Sequence, residues 1–335
     1  MTGNQNRQVI ELSKRGYAML RRRLFDEAEQ AFLEALQLDE KEPYILVGLG
    51  DLCRERKRYD DALTFYRRTI NVDSDNVFAL RGMGDAFRGL EEVEKAIPFW
   101  IRYLELKPND FHVMVRLADA HKKINDMHQA KGYYARALGQ DQNNRYALLG
   151  LGSLHYKLGE EDEALEKLEH LLSLDERYVA ALTMVGNIYR HRMEYEKAAR
   201  FYETALRYEP TNTFALYGLG DCRRGVKDYE GALIPWEKIL EMEPDNQALH
   251  TRVGDALFNL GKVEESGDHY RKSLAHEFDA YALIGMARIH QAQGRYDEAE
   301  ACCQKVLVEE PNNLAALKEL QKIRETRTSA GVGTK

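Results

Sequence analysis

Acidic and basic side chains recur three positions apart in this sequence. Four such pairs are Asp51 with Arg54, Asp85 with Arg88, Asp119 with Lys122 and Asp221 with Arg224. On a helix this spacing places the two charges side by side, where a pair contributes about 0.2–0.5 kcal/mol. Two interpretations stay open, and both can hold together. The rows are either ion-pair ladders that stiffen the protein or charged groups that contact a ligand.

The arrangements typical of catalysis and cofactor binding do not occur in this sequence. It lacks the phosphate-binding pattern GxxxxGK[ST], the zinc-binding pattern HExxH and the nucleophile pattern GxSxG. The four cysteines, Cys53, Cys222, Cys302 and Cys303, include no CxxC pair and no Cys/His cluster with metal-ligand spacing. We therefore expect reduced cysteines, no metal, no cofactor and no catalytic residue. The sequence predicts a protein that is not an enzyme.

Composition narrows the class of protein. The 335 residues are 44% apolar and 31% charged, which is ample for a packed core. The net charge of −7 argues against a surface devoted to nucleic acid or to anionic membranes. The sequence contains no run of 18 apolar residues, so no membrane-spanning helix is expected. The polar start, Met1 to Gln8, has no apolar signal-peptide core. A cytoplasmic location is expected.

A repeat with a period of about 34 residues organises the chain. The segment from Leu80 to Asp85 returns four periods later as Leu216 to Asp221. Nine units cover residues 9–313, and the eighth is one residue short. They start at Val9, Pro43, Val77, Phe111, Arg145, Val179, Thr213, Gln247 and Ala280.

Residue size is repeated at fixed positions of the unit. The eighth and twentieth positions are small, and the twenty-fourth is mostly large. Apolar residues at spacings of three and four predict two helices per unit, joined by a short turn. A recurrent small residue within a helix implies that two backbones approach closely there. The twenty-fourth residues, which we expect to fill the space toward the next unit, are Phe32, Tyr66, Trp100, Tyr134, Leu168, Tyr202, Trp236, Tyr270 and Cys303.

This pattern resembles the tetratricopeptide repeat, W-x2-L-G-x2-Y…A-x3-F…P. The resemblance implies an all-α, right-handed superhelical α-solenoid of helix-turn-helix repeats whose first helices line a concave groove. After the last unit, the apolar stripe of Leu314, Leu317 and Leu320 predicts a capping helix over 314–325. The remaining residues, 1–8 and 326–335, are predicted to be flexible termini.

In the family, positions 2, 5, 9 and 12 of the first helices form the ligand face. The candidate groove residues are Tyr44, Asp51, Arg54, Phe78, Arg81, Asp85, Arg88, His112, Asp119, Lys122, Tyr146, Asn187, Arg190, Phe214, Asp221 and Arg224. With Asp255 and Arg288, the groove carries five acids and seven bases, although the chain is at −7. The aromatic residues at position 2 either anchor a ligand or pack between units.

The leading hypothesis is therefore a scaffold or adaptor that binds a protein or peptide of acidic or mixed charge. One alternative is a self-assembling structural organiser, which would be a homo-oligomer. Another is a non-catalytic arm that presents substrates within an enzyme complex. The clamp that some family members use for a C-terminal carboxylate is not matched, because position six is mostly Gly and position nine is mostly Asp.

The two tryptophans, Trp100 and Trp236, fill the same position in the third and seventh units, and each has a proline nearby in its predicted second helix, Pro98 and Pro235. A proline there removes a helical hydrogen bond and is expected to kink the helix. Two interpretations stay open. The pattern is either the packing of a duplicated set of units or a pair of bends that marks partner sites.

Overall fold

The computed structural model describes residues 3–275 and 277–332. These residues form 19 α-helices and no strand. The first ten helices are α1 Gly3–Arg21, α2 Phe25–Leu38, α3 Pro43–Glu55, α4 Tyr59–Val72, α5 Val77–Gly89, α6 Val93–Leu106, α7 Phe111–Lys123, α8 Met127–Gln140, α9 Arg145–Leu158 and α10 Glu161–Leu174. The others are α11 Val179–His191, α12 Tyr195–Tyr208, α13 Thr213–Gly225, α14 Tyr229–Met242, α15 Gln247–Asn259, α16 Val263–Leu274, α17 Ala280–Ala292, α18 Tyr296–Glu309 and α19 Leu314–Val332.

The chain divides into two compact units, Met1–Leu174 with α1–α10 and Asp175–Lys335 with α11–α19. Within each unit, each odd-numbered helix from α1 to α17 pairs with the even-numbered helix that follows it. That even-numbered helix also packs on the next odd-numbered helix of the same unit. We call the odd-numbered helices first helices and the even-numbered helices second helices. The prediction of an all-α chain of helix-turn-helix repeats is confirmed.

Side-chain caps fix where most first helices begin. The Asn76 side chain accepts a hydrogen bond from the backbone N–H of Ala79, at 3.1 Å, and so satisfies a free donor of the first turn of α5. The same capping contact, from the side chain just before the helix, is made by Asp110, Asn144, Asn212, Asn246, Asp279 and Asn313. The Asn or Asp that precedes most first helices therefore helps to set the register of the repeat.

Large side chains lock successive helix pairs together. The ring of Tyr66, which is fully buried, lies between Gly50 of its own first helix and Gly82 of the next. A Cβ atom at Gly50 would lie 2.5 Å from Tyr66 Cε1, and one at Gly82 would overlap the same ring. Glycine is thus required by close packing at both places. Phe32, Tyr202 and Tyr270 are held between two glycines in the same way.

Both chain ends are more helical than the predicted flexible termini, 1–8 and 326–335. Helix α1 begins at Gly3, because Gln5 Nε2 donates to the Leu38 carbonyl at 3.1 Å and ties this turn to the end of α2. Helix α19 extends past 325 to Val332, since Arg327 pairs with Asp297 at 2.7 Å. Met1, Thr2 and residues 333–335 lie outside the described residues.

Helix α19 covers the last helix pair of the second unit. Its buried residues Leu320 and Ile323 pack on Ala287, Ala299 and Cys303. The face that packs on the helix stack consists of Ala316, Leu320 and Ile323, so the predicted stripe is wrong at Leu314 and Leu317, which are 70% and 43% exposed. The helix still covers the end of the stack, as a capping helix does.

Candidate binding surface

The first helices of each unit lie side by side, so residues at equivalent positions form rows. In the first unit the central helices are α3, α5 and α7, and in the second they are α11, α13 and α15. We call the surface of each unit that carries positions 2, 5, 9 and 12 of these helices its first-helix face. The candidate residues from Tyr44 to Tyr146 lie on the first unit, and those from Asn187 to Arg224 lie on the second.

Most acceptors at position nine are held by a buried tyrosine. Tyr66 Oη donates to Asp51 Oδ1 at 2.7 Å. Burial raises the pKa of Asp51, and the bond from Tyr66 offsets only part of that rise. The same contact, always fifteen residues apart, joins Tyr134 to Asp119, Tyr202 to Asn187 and Tyr270 to Asp255. These polar side chains are therefore acceptors that the protein already uses.

Asp85 is held differently, because its unit carries Trp100 in place of the tyrosine. Arg116, on the next first helix, places Nη1 at 2.7 and 2.8 Å from the two oxygens of Asp85. Arg54, on the preceding first helix, has Nη1 at 3.9 Å from the same carboxylate. The Asp85 side chain is only 6% exposed. This Arg–Asp–Arg bridge joins α3, α5 and α7.

An equivalent bridge occurs in the second unit. Arg252 Nη1 lies 2.7 Å from Asp221 Oδ1, and Arg190 Nη1 lies 3.4 Å from Asp221 Oδ2. Arg224, on the same helix as Asp221, contributes a third guanidinium at 3.3 Å. The bridge joins α11, α13 and α15.

The predicted pairs within one helix are longer than the 2.7 Å contacts that Arg116 and Arg252 make between helices. Asp51–Arg54 measures 3.6 Å and Asp221–Arg224 measures 3.3 Å. Lys122 donates instead to Ser153 Oγ at 3.2 Å, across to α9. The row of charges therefore links successive first helices. The shortest links use Arg116 and Arg252, which the spacing of three did not suggest.

Two arginines of the first-helix face in the first unit form no ion pair with the described residues. Within residues 3–275 and 277–332, neither Arg81 nor Arg88 forms an ion pair within 4 Å. Arg88 is exposed and lies over the Trp100 ring, 5.9 Å from its centroid. Arg81 is half-buried on the same helix. Both arginines belong to the first-helix face, and their guanidinium groups have N–H donors that are free to bind a ligand.

The aromatic residues at position two are open to solvent. Tyr44 is 51% exposed, Phe78 54%, Tyr146 69% and Phe214 77%, and His112 is also exposed. Tyr44 packs against Tyr17 with ring centroids 4.6 Å apart. More than half of each of the four measured side chains is therefore not used in packing between repeats.

A recess in each unit contains some of these aromatic residues. In the first unit a recess of about 430 Å³ is lined by Tyr17, Tyr44, Asp51, Phe78 and Arg81, among others. In the second unit a recess of about 400 Å³ is lined by Asn187, Arg190, Phe214 and Tyr217 together with neighbouring residues. Both combine apolar walls with polar groups that converge on them, as small binding sites do.

Sequence reasoning missed Arg116 and Arg252, which complete the two bridges. Both occupy position six, and the other residues there are Lys14, Gly48, Gly82, Gly150, Met184, Gly218 and Gly285. Arginine appears at position six only in the unit that follows a tryptophan, Trp100 or Trp236. That correlation could have identified the two bridges from the sequence. A tyrosine needs the glycine beside its ring, whereas a tryptophan gives the aspartate no hydroxyl donor, so an arginine can take that role.

The part of the chain that the structure describes has neither a membrane-spanning helix nor a metal-binding cluster. No helix there combines the length and apolar character needed to cross a membrane. The same residues contain no group of three or more His, Cys, Asp or Glu side chains arranged to hold a metal ion.

Comparison with known proteins gives consistent results along the chain. Tetratricopeptide repeat profiles match residues 13–77, 115–178 and 215–282, and two others match 181–213 and 280–313. A search of curated protein sequences found no match.

Solved structures share the fold at low sequence identity. A tetratricopeptide repeat protein from Parabacteroides merdae ATCC 43184 is 18% identical, with a TM-score of 0.54 over 74% of this chain and 98% of that chain. PilF from Pseudomonas aeruginosa is 19% identical, with a TM-score of 0.54 over 64% and 96%. YrrB, described as having an unusual peptide-binding site, is 22% identical, with a TM-score of 0.50 over 56% and 96%.

Tetratricopeptide repeat proteins are generally non-catalytic scaffolds for protein interactions. The repeat profiles cover more than half of this sequence, and the helix pairs, the buried rings and the small residues around them follow the repeat throughout the described residues. This chain belongs to the tetratricopeptide repeat family.

Proposed function

We propose that the protein is an interaction scaffold that binds a peptide or protein segment of acidic or mixed charge on its first-helix face. The observation that carries this proposal is the unequal use of charge in the first unit. Each acid at position nine already accepts a hydrogen bond from the protein, whereas Arg81 and Arg88 form no ion pair there.

The charge balance supports an anionic ligand. The rows of the first-helix face in the first unit hold four basic residues, Arg54, Arg81, Arg88 and Lys122, and three acids, Asp51, Asp85 and Asp119. Arg116, at position six, adds a fifth cation that contacts Asp85. A partly buried cation attracts a carboxylate more strongly than one in bulk water, and added salt weakens the attraction. We expect the affinity for an acidic segment to fall as ionic strength rises.

Exposed aromatic rings supply the apolar part of the site. Tyr44 and Phe78 border the recess that also contains Arg81. Aromatic and arginine side chains provide much of the binding energy at protein interfaces, because they bury a large area and keep a polar edge. The similarity to YrrB, whose description includes a peptide-binding site, is in keeping with this use of the fold.

Fluorescence anisotropy tests the proposal with a labelled pentapeptide, Glu-Glu-Phe-Glu-Glu. Its charge-reversed counterpart, Lys-Lys-Phe-Lys-Lys, is the ligand control. We expect the acidic peptide to bind and the basic peptide to bind at least tenfold more weakly. The double variant Arg81→Ala/Arg88→Ala should lose at least tenfold in affinity while keeping the circular dichroism spectrum of the parent.

A matched double variant controls for the loss of charge itself. Arg67→Ala/Arg136→Ala removes two exposed cations from the second helices α4 and α8, and it should bind the acidic peptide like the parent. Equal weakening by both double variants would show a general effect of net charge. Equal binding of both peptides would contradict the proposal.

A further inference from the structure

The binding features of the first unit recur in the second unit, four repeats further along the chain. The bridge Arg54–Asp85–Arg116 corresponds to Arg190–Asp221–Arg252, with the same interval between successive members throughout. The buried rings Trp100 and Trp236 correspond in the same way, and both are fully buried. Neither indole Nε1 has a hydrogen-bond partner. The duplication therefore includes the detailed contacts of the chain as well as its period.

The groups that face solvent above each bridge are duplicated too. Phe78 corresponds to Phe214, and Arg88 corresponds to Arg224. Both phenylalanines are more than half exposed, and both arginines are exposed. Each copy thus presents an exposed apolar ring and an exposed guanidinium on the same helix as the buried aspartate of its bridge.

Three register positions line the recess of both copies. Asp51, Phe78 and Arg81 line the first recess, and their counterparts Asn187, Phe214 and Tyr217 line the second. The volumes, about 430 and 400 Å³, are similar. Each copy lies wholly within its own compact unit, so neither copy needs residues from the other copy.

The two copies differ in charge at two of these positions. The first recess contains Asp51 and Arg81, whereas the second contains the uncharged Asn187 and Tyr217. Tyr217 lies under Arg252, whose guanidinium carbon is 4.9 Å from the ring centroid. Since only the first recess holds a cation without an ion pair, its affinity for an acidic ligand should depend more strongly on salt.

We propose that this chain carries two separate copies of one peptide-binding site, one in each compact unit. Each copy takes an acidic segment of a partner that carries an apolar side chain, so one chain holds two such segments. The cationic surplus over each bridge favours the carboxylates, and the exposed phenylalanine favours the apolar side chain. This inference rests on the function proposed above and adds to it the number and place of the sites.

Isothermal titration calorimetry of the whole chain with Glu-Glu-Phe-Glu-Glu measures the number of sites directly, because the stoichiometry counts the peptides bound per chain. The parent should bind two peptides. Arg88→Ala and Arg224→Ala should each bind one, with affinity at the altered site at least tenfold weaker. The double variant should bind none in the same concentration range.

The neighbouring arginine gives a matched control. Arg223 pairs with Glu203 and Asp228, at 2.9 and 3.3 Å, away from the bridge, and Arg223→Ala should keep both sites. Thermal melts of each variant identify any loss of folding. Phe78→Ala and Phe214→Ala repeat the test without a change of charge and should also lose one site each.

The outcomes separate the two proposals. One peptide per chain, lost in Arg88→Ala and unchanged in Arg224→Ala, would overturn the second site and leave the proposed function standing. Loss of both sites in either single variant would overturn the separateness of the copies. Absence of binding by the folded parent would overturn both proposals.

Discussion

Arg116 reaches both oxygens of the buried Asp85 carboxylate from the next first helix, at 2.7 and 2.8 Å. The two residues are separated by three positions fewer than the repeat period. Position nine of one unit therefore lies beside position six of the next. The charges at these two positions are reversed at the end of the chain, where Arg288 of α17 pairs with Glu319 of α19 at 2.9 Å across the same interval.

Removal of the arginine should destabilise the first unit. Arg116→Met leaves Asp85, whose side chain is 6% exposed, without its main partner. We expect a loss of about 2 kcal/mol in the free energy of unfolding, less than for a fully buried pair because Arg116 is 28% exposed. Urea denaturation followed by circular dichroism measures this change.

Two further variants check the cause of that loss. Asp85→Leu/Arg116→Met removes both charges and should be more stable than Arg116→Met alone. Arg102→Met breaks an exposed pair with Asp75 and should leave the denaturation midpoint unchanged. If the double variant is the least stable of the three, a buried unpaired carboxylate is not the reason.

Glycine substitutions should have opposite effects at two places in the first unit. Gly82→Ala would force a methyl group into the Tyr66 ring and should cost about 1–3 kcal/mol through overpacking. Gly132→Ala, in helix α8 with no atom near its Cβ direction, should stabilise by about 0.5–1 kcal/mol through helix propensity. Thermal unfolding distinguishes the two signs, and a stable Gly82→Ala protein would show that the ring can move.

The histidine pair of the second unit should make stability depend on pH. His250 Nε2 donates to the Pro244 carbonyl at 2.8 Å, so its Nδ1 accepts from His269 Nδ1 at 3.0 Å. Burial lowers the pKa of His269 to about 4, and His250 and Lys272 add to this effect while Asp268 opposes it.

The folded state therefore binds fewer protons than the unfolded state between the ordinary histidine pKa of about 6.5 and about 4. This stabilising contribution is complete above that window and is lost as the pH falls through it. NMR titration of His269 should give a midpoint near 4. In His269→Gln, the decline of the denaturation midpoint across the window should be smaller, and an unchanged decline would assign it to other groups.

The cysteine thiols should be inert in the folded protein. All four are unpaired, as the sequence predicts, and burial raises the pKa of Cys222 to about 12 and of Cys303 to about 11. Since the thiolate is the reactive form, both should react slowly with a disulfide reagent at about pH 8. In denaturant all four should react at once, and a rapid phase at Cys222 without denaturant would show local opening of the second unit.

The sequence alone determined the period and the helix-turn-helix pattern. The reason is local, because apolar spacing, capping residues and small positions act within a helix or between a helix and its neighbour. The recurrent small residue at Gly50 predicted the close approach of two backbones, and the large residue at Tyr66 was expected to fill the space toward the next unit. In the structure the atoms nearest to a Cβ at Gly50 belong to the Tyr66 ring, which also reaches Gly82 of the next unit. The constant period then repeats this arrangement along the chain.

Only the tertiary structure decided which charges meet. Helical spacing suggested Arg88 as the partner of Asp85, but the carboxylate turns to Arg116 on the next helix, because that side of it is buried and the Trp100 indole supplies no hydroxyl. The number of acids that the protein itself neutralises, and hence the cations that remain for a ligand, depends on contacts between helices. Such contacts depend on how neighbouring helices pack, and the sequence of a single helix does not specify that packing.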